Sequence, residues 1–297
     1  MASVSEGRPG AVTRTSAFFF RHPHARLGLT LGLPILWFLV IYIGALAILF
    51  VSAFWSLDTF TGEIVHSWSL TNFQTLLENP VYRVITIRTV GLATAVTLTD
   101  IVLAFPLAYF AARLASNRMR NAVLVAVVIP LWANYLVRVF AWKLILTPTG
   151  FLAWWTEKLG FNLQLGNSNW AIWLTFAYLW LPFTMLPIYG ALERVPNSYL
   201  EASGDLGAKG WLTFRRVVFP MIVPGIVAGS IFSFSLTLGD YIVPSLVGNT
   251  KFIGNVIYDS VGVANNIPFA AAYALVPVAI MAIYLMLAKR AGAFEAL

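Results

Sequence analysis

The residues of this sequence most able to do chemistry lie in a polar stretch at 191–220, between two strongly apolar segments. An Asn-Ser pair at 197–198 can cap a short helix, and Glu201 follows near the positive end of that helix. Gly207 and Gly210 then interrupt the stretch, and either glycine can take the left-handed conformation that ends a helix. The pattern therefore predicts two short helices separated by a break.

The second of these short helices has an apolar side. Trp211, Phe214 and Val218 recur at spacings of three and four residues, which places them on one helical face. A bundle made by one chain would not bury such an element at its own surface. We therefore expect the stretch to dock onto a separate partner protein.

Ionisable residues also lie within the apolar segments, where each costs on the order of 2.5–3.5 kcal/mol on insertion scales. Asp100 lies well inside one segment, on a stripe of small and polar residues that we expect to face the interior of a bundle. We expect Asp100 to be structural, with a place along a solute path as the alternative. The stripe consists of Thr89, Ala93, Thr97, Asp100 and Ala104.

Asp240 ends another apolar segment, and Arg138 lies in the outer half of a third. Two interpretations of Asp240 stay open: it lines a solute path and attracts a cationic amine, or it forms an ion pair with Arg138 that joins two helices. Tyr241, Trp142 and Trp132 could place aromatic rings beside such an amine. In a chain with 15% aromatic residues, rings in lipid or at its surface are the simpler alternative.

Composition places all of these residues in a membrane protein. The chain of 297 residues is 59% hydrophobic and 10% charged, with a mean hydropathy of +0.79, whereas soluble domains carry about 25% charged residues. Because so few charges cannot cover a soluble protein of this size, much of the surface must face lipid. The chain has no cysteine, which excludes disulfides, thiolate zinc sites and thiol nucleophiles.

Six apolar segments are long enough to cross a bilayer, which takes about 20 residues of helix. Thirteen of the 19 basic residues lie in the tails and loops of one side, so the positive-inside rule predicts that both termini are cytoplasmic. This placement also explains the net charge of +7 as membrane topology, and nucleic acid is not expected as a partner. The predicted segments are about 28–54, 89–112, 122–146, 170–189, 221–238 and 269–288.

No catalytic motif is present in the sequence. It has no Gly-x-x-x-x-Gly-Lys-Ser/Thr phosphate loop, no Gly-x-Ser-x-Gly turn and no His-Glu-x-x-His. The three histidines, His22, His24 and His66, lie in the first tail and the first outer loop, away from any metal-binding pattern. The chain is therefore not expected to be an enzyme or to bind a metal.

The stretch at 191–220 resembles the "EAA" loop of permease subunits in type I ATP-binding-cassette (ABC) importers. In that family the loop forms a coupling helix, which sits in a groove of the cytoplasmic ATPase and transmits its closure to the membrane helices. The family's Glu-Ala-Ala is Glu-Ala-Ser here, a mild departure because serine is also small. The residues that the resemblance implies for ATPase coupling are Glu201, Ala202, Ser203, Asp205, Gly207, Ala208, Phe214 and Pro220.

Other motifs resemble the spermidine/putrescine branch of these permeases, which also contains importers of other small solutes. The resemblance implies a polyamine or a similar small polar solute. The depth and charge of the ionisable residues suggest a solute path that includes Asp240, Tyr241, Arg138, Trp142 and Asp100, although Asp100 lies outside the family pattern. The motifs are Asn-Phe at 72–73, Phe-Pro-Leu-Ala-Tyr at 105–109, Leu-Val-Arg at 136–138, Ala-Trp at 141–142 and Leu-Gly-Asp-Tyr at 238–241.

The resemblance implies an all-α bundle of about six transmembrane helices, the MetI-like permease fold, in the bacterial cytoplasmic (inner) membrane. We expect a cytoplasmic tail at 1–27, a permease domain at 28–290 and a second cytoplasmic tail at 291–297. The implied partners are membrane lipid, a cytoplasmic ATPase dimer, a second and similar permease subunit that forms a heterodimer with this chain, and an extracytoplasmic solute-binding protein. ATP and Mg²⁺ would bind the ATPase, and no cofactor is expected on this chain.

Two other classes of protein compete with this interpretation. A secondary transporter or channel that works without ATP would explain six spans and buried charges, but it leaves the amphipathic loop at 191–220 unexplained. A membrane-embedded enzyme would need clustered His, Asp or Glu near one membrane face, and the sequence has no such cluster.

Overall fold

The computed structural model describes residues 23–58, 60–161 and 163–290, and almost all of them are helical. The predicted tail at 291–297 and residues 1–22 of the predicted tail at 1–27 lie outside the described residues. The helices are α1 (Pro23–Trp37), α2 (Gly44–Ser52), α3 (Thr71–Glu78), α4 (Pro80–Tyr109), α5 (Asn117–Trp132), α6 (Tyr135–Leu146), α7 (Phe151–Lys158), α8 (Asn169–Glu193), α9 (Asn197–Asp205), α10 (Gly210–Thr213), α11 (Phe219–Gly239), α12 (Ile242–Val247), α13 (Ile253–Gly262) and α14 (Ile267–Arg290).

Wider π-helical turns join several of these helices without ending them. One joins α1 to α2, one continues α4, and one leads from α10 into α11; a proline precedes the first two by four residues, at Pro34 and Pro106. Because proline removes a hydrogen bond and crowds the preceding turn, a locally wider helix is an expected response. The three turns are Phe38–Ile43, Phe110–Leu114 and Phe214–Val218.

A short antiparallel hairpin follows the first span. Strands β1 (Ser56–Leu57) and β2 (Ile64–Val65) pair with each other. At its tip, the backbone N–H groups of Phe60 and Thr61 donate to the carboxylate of Asp58 and hold the pKa of that group below its ordinary value.

The prediction of six membrane spans is confirmed. Among the described residues, six helical stretches are long and apolar enough to cross a membrane. The first of them has almost no buried side chain, as expected where lipid or another membrane protein surrounds a helix. The stretches are Thr30–Ser52, Pro80–Leu114, Tyr135–Lys158, Asn169–Glu193, Gly210–Gly239 and Ile267–Arg290.

The core consists of α4, α8 and α11, which pack along their lengths. Gly225 and Gly229 of α11 face α8 closely: a Cβ atom at 229 would lie 2.7 Å from the carbonyl oxygen of Thr184. Two glycines four residues apart thus let α8 approach the fifth span closely. The five residues of the polar stripe on α4 are all buried, as predicted.

The two ends of this core differ in charge. The end that we name the basic end carries Arg113, Arg194, Arg216 and Arg290, where α4, α8 and α14 finish and α11 begins. Its buried cluster includes Met185, Leu192 and Val218, whereas a second cluster around Ile172 and Phe176 fills the opposite, distal end.

The third predicted span, 122–146, is wrong as a single helix. The chain leaves the helical conformation at 133–134, between α5 and α6. Asn134 caps the new helix, since its side-chain oxygen accepts the N–H of Leu136 at 2.9 Å.

Packing assigns the third crossing to α5 and α6 together. Val127 of α5 packs with the basic-end cluster around Leu192, whereas Val139 of α6 belongs to the distal cluster around Phe176. Hydropathy alone selects Tyr135–Lys158 for this span. The packing decides the assignment, because the two clusters lie at opposite ends of α8. Within this part of the chain, α5 reaches the basic-end cluster and α6 reaches the distal cluster.

Candidate coupling loop and solute path

Helix α9 ends in a glycine-based turn. Gly207 has φ +76°, and its N–H bonds to the Gly204 carbonyl at 2.8 Å while the Ala208 N–H bonds to the Ser203 carbonyl at 3.0 Å. These two bonds form a Schellman motif, which satisfies open carbonyls at a helix end. Gly207 thus supplies the left-handed turn, whereas Gly210 starts α10.

A hydroxyl pair holds α9 against α10. Ser203 is buried, and its Oγ lies 2.8 Å from Oγ1 of Thr213. Ser203, which stands where the family has its second alanine, therefore has a structural role: its hydroxyl ties together the two short helices on either side of the turn.

Arg113, at the end of the second span, fastens α9 to the bundle. Its guanidinium donates to the carbonyls of Leu192 and Val195 at 2.6 Å each, and to Oδ1 of Asn197 at 2.9 Å. The first two bonds satisfy carbonyls where α8 finishes, and the third holds the first residue of α9. The loop is therefore positioned by α4 as well as by α8.

The three residues of the apolar side predicted for the second short helix have different surroundings: two pack against the bundle and one is exposed. Phe214 lies against Phe105 of α4 with ring centroids 5.6 Å apart, and Val218 is buried in the basic-end cluster. The expectation that one chain would not cover this element is thus wrong for these two residues. Trp211 stacks on Phe214 but stays 71% exposed.

The surface that remains on α9 and its turn combines large apolar side chains with acidic groups. Leu206 is 88% exposed and Tyr199 is also exposed. The exposed carboxylate of Glu201 has no hydrogen bond or ion pair with any other described residue. A groove of about 490 Å³ runs beside them, lined by Tyr199, Ala202, Ser203, Leu206, Gly207, Ala208, Leu212, Arg216 and Val217.

The predicted cap of α9 is wrong. Pro196 occupies the capping position and no side chain caps the helix. Asn197 is already helical and accepts from Arg113 instead, and Ser198 follows it. Glu201 therefore lies beyond the first turn, where the helix dipole has largely faded.

The other residues expected in coupling take distinct places. Ala202 and Asp205 are exposed on α9, and Ala208 follows the turn. Pro220 is the second residue of α11, directly after the π-helical turn Phe214–Val218.

At the distal end, Asp240 directly follows α11. Its Oδ2 accepts a hydrogen bond from the hydroxyl of Tyr135, and its Oδ1 accepts the N–H of Val243 at 2.9 Å. No ion pair joins Asp240 to Arg138, both of which are described. The interpretation of Asp240 as the partner of Arg138 is therefore wrong, and Tyr135, which the sequence analysis missed, takes that place.

Two aromatic rings of α6 pack against rings of α8, on the side of the bundle where Tyr135 bonds to Asp240. The ring of Tyr135 stacks over Trp180 with centroids 6.0 Å apart, and Trp142 tilts onto Tyr178 at 5.4 Å. The buried Nε of Arg138 and Nε1 of Trp180 have no hydrogen-bond partner among the described residues. Two donors are thus available beside the Tyr135–Asp240 pair.

The two remaining candidate rings lie at the edges of this region. Tyr241 stacks face to face on Tyr258 of α13, with centroids 4.5 Å apart. Trp132, at the end of α5, is 86% exposed. Neither ring makes a described contact with the carboxylate of Asp240.

Asp100 lies in the core and not in the distal site. It is 0% exposed, and the hydroxyl of Ser233 donates to its Oδ2 at 2.6 Å. Its Oδ1 has no hydrogen-bond partner among the described residues. Ser233 lies about two helical turns before Asp240 on α11, so the structure places the two aspartates in separate environments. No cluster of three metal-ligating side chains occurs in the part of the chain that the structure describes.

A six-span helical bundle with two short helices fastened to one end is compatible with a membrane transport permease. Residues 104–292 match the family model described as "Binding-protein-dependent transport system inner membrane component", and the chain belongs to this family. It is the transmembrane permease subunit of a type I ABC importer, a multi-pass protein of the inner membrane. Relatives of this kind are permease subunits and not enzymes themselves.

Two curated relatives indicate the branch of the family. The chain is 44% identical to the inner membrane ABC transporter permease protein YdcU of Escherichia coli (strain K12), over 99% of this chain and 98% of that protein. It is 31% identical to the spermidine/putrescine transport system permease protein PotB of Salmonella typhimurium (strain SL1344), over 76% of this chain and 79% of that protein.

A solved structure shares the fold. It is a bacterial ABC transporter involved in the import of the acidic polysaccharide alginate, with a TM-score of 0.71 and 18% identity, covering 93% of this chain and 99% of that one. At 18% identity, this likeness confirms the MetI-like fold and carries no information on the solute.

Proposed function

We propose that this permease forms half of the import path for a small cationic solute of the polyamine type. The similarity to spermidine/putrescine permeases over about three quarters of the chain supports this class. The observation that carries it is Asp240, a half-buried carboxylate that accepts from Tyr135, whose ring stacks on Trp180, and that has no ion-paired cation among the described residues. A carboxylate with nearby rings is a suitable site for an ammonium group.

The family as a whole accepts solutes of different charge. A structural neighbour belongs to an importer of the acidic polysaccharide alginate, and a 29% identical relative is named a molybdenum transport system permease protein. The name of the 44% identical relative specifies no solute. The cationic assignment therefore depends on Asp240 and on the polyamine relatives together.

We further propose that α9 and its turn are the coupling element for a cytoplasmic ATPase dimer, which binds the ATP and Mg²⁺. The fastening of α9 by Arg113 and Thr213 supports this role, because a lever must be fixed to the helices that it moves. The exposed Leu206 and Glu201 present an apolar surface and a charge to the partner. The basic end would then face the cytoplasm, in agreement with the positive-inside rule.

The remaining partners complete the importer. A similar permease subunit, as a heterodimer, would cover the exposed apolar faces that face the path, and an extracytoplasmic protein would deliver the solute. A solved relative is in complex with a solute-loaded periplasmic protein, which supports the second of these partners.

The test is transport by the whole complex. The chain is purified with its ATPase and second permease, reconstituted in liposomes and supplied with its extracytoplasmic protein. We expect that protein to bind putrescine or spermidine and to stimulate ATP hydrolysis. Binding of an acidic or neutral solute alone would contradict the polyamine assignment, and transport without the ATPase would favour a secondary transporter.

A further inference from the structure

Two helical stretches of the bundle are interrupted, and the two breaks lie next to each other, since Tyr135 bonds to Asp240. Helix α5 gives way to α6 at 133–134, and α11 gives way to α12 at 240–241. Irregular backbone at membrane depth is tolerated where it is enclosed in protein or lines a water-filled cavity.

One side-chain hydrogen bond joins the two breaks. Tyr135 is the first residue of α6 and Asp240 directly follows α11, and the tyrosine hydroxyl donates to the carboxylate. The other carboxylate oxygen accepts the N–H of Val243 in the first turn of α12. Asp240 is therefore bonded to the start of both helices that follow the breaks.

The remaining sides of the second break are covered tightly. A Cβ atom on Gly254 would lie 2.8 Å from the carbonyl oxygens of both Gly239 and Asp240. Asn255 donates to the carbonyl of Tyr241 at 3.0 Å. Backbone and amide contacts thus fix the end of α11. Among the described side chains, the hydroxyl of Tyr135 bonds to the carboxylate of Asp240, and a solute could replace this hydroxyl.

We propose that Tyr135 is a positioning residue of the solute path: its hydroxyl holds α6 to Asp240, and an ammonium group of the solute displaces it. This inference rests on the proposed cationic solute. The bond from the neutral tyrosine hydroxyl carries one charge, that of the carboxylate, whereas an ammonium group adds the Coulomb attraction of a second, opposite charge. Displacement releases α6 from α11, so that arrival of the solute loosens the distal end of the bundle.

The test compares Tyr135→Phe with the matched control Tyr42→Phe in the reconstituted complex. Tyr42 lies in the first span, and its hydroxyl has no described hydrogen bond. Without its hydroxyl, residue 135 no longer competes with the amine. We expect Tyr135→Phe to lower the KM for putrescine by about tenfold to a hundredfold, the worth of one hydrogen bond to a charged group, and to raise ATP hydrolysis without solute. Tyr42→Phe should leave both unchanged.

Asp240→Asn should act in the opposite direction on the same constant. It removes the charge that attracts the amine, so the KM for putrescine should rise about tenfold. If Tyr135 had only a structural role, Tyr135→Phe would lower transport activity and would not lower the KM for putrescine. Equal KM and equal solute-free hydrolysis in Tyr135→Phe and the wild type would overturn the proposal.

A second measurement leaves Tyr135 and Asp240 intact. Because the chain has no cysteine, Tyr241→Cys introduces a single thiol beside the break. Its rate of modification by a membrane-impermeant thiol reagent should rise when putrescine and the extracytoplasmic protein are present, and should not respond to neutral 1,4-butanediol. A rate that putrescine leaves unchanged would also overturn the proposal. Failure of putrescine to bind the extracytoplasmic protein would instead refute the proposed function.

Discussion

Replacing Gly229 with alanine tests the close packing of α8 and α11. The new methyl carbon would lie 2.7 Å from the carbonyl oxygen and 3.0 Å from the Cα of Thr184, whereas ordinary contact begins at 3.4 Å. These neighbours are backbone atoms of α8 and cannot rotate away. The two helices must therefore separate by about 0.7 Å or more near this point.

Such a separation weakens contacts along the whole interface. Forcing an extra carbon into a well-packed core costs about 1–3 kcal/mol, and we expect Gly229→Ala to lower the free energy of unfolding by that amount. Unfolding can be followed by tryptophan fluorescence in mixed micelles as the denaturing detergent fraction rises. The matched control is Gly190→Ala on α8, where the new carbon would have nothing within 4 Å.

The control should be neutral, or more stable by up to about 1 kcal/mol because alanine favours a helix over glycine. If Gly229→Ala unfolds at the same detergent fraction as the wild type, the close approach of the two helices is not tightly packed. If both alanine variants lose the same free energy, the loss reflects the helices themselves and not their contact.

Further predictions concern the ends of the core. Arg113→Ala removes three hydrogen bonds of the coupling loop and should lower solute-stimulated ATP hydrolysis severalfold, whereas Arg118→Ala, on an exposed side chain without a described bond, should not. Asp100→Asn keeps an acceptor for the serine hydroxyl and should assemble normally, whereas Asp100→Ala should lose about 1–3 kcal/mol of stability in the same detergent titration. Gly254→Ala pushes α13 off the end of α11 and should reduce transport, and Gly262→Ala, which has open space around it, should not. Equal effects within any pair would contradict the contact that the pair tests.

The coupling loop has its own test. Glu201→Lys reverses the exposed charge of α9, and Gly207→Pro blocks the left-handed turn that ends it. Both variants should insert in the membrane and lose transport while the ATPase still hydrolyses ATP. Glu157→Lys makes the same charge change on α7 and should transport normally. Normal transport by both loop variants would refute the coupling assignment.

The sequence predicted what depends on local composition. Apolar length is a property of each segment, so the six spans could be predicted, and the spacing of small residues from Thr89 to Ala104 correctly placed that face of α4 in the core. Gly207 was one of two candidates for the turn, and both had the same local signal. The choice between them depends on the hydrogen bonds of the folded loop.

Contacts between distant residues could not be predicted in this way. The break at 133–134 has no effect on hydropathy, because alanine and a single asparagine leave the segment apolar. Tyr135 and Asp240 are 105 residues apart, and the charges of Asp240 and Arg138 made an ion pair the obvious expectation. The nearby Pro130 and Asn134 are the local signals that could have suggested a helix end and a new cap.

Helix α11 connects the two functional regions. It starts from the turn that packs the coupling loop onto α4, and it ends at Asp240 beside the break into α12. Gly225 and Gly229 leave no space between it and α8, and Asp100 bonds to it from α4 through Ser233. Because tightly packed helices move as a unit and do not bend gradually, a displacement of α9 by a partner should reach Asp240 as a rigid-body shift. The hydrogen bond from Tyr135 to Asp240 joins the end of α11 to α6, which is a separate helix. A solute that binds Asp240 and an ATPase that moves α9 would therefore both act on this hydrogen bond.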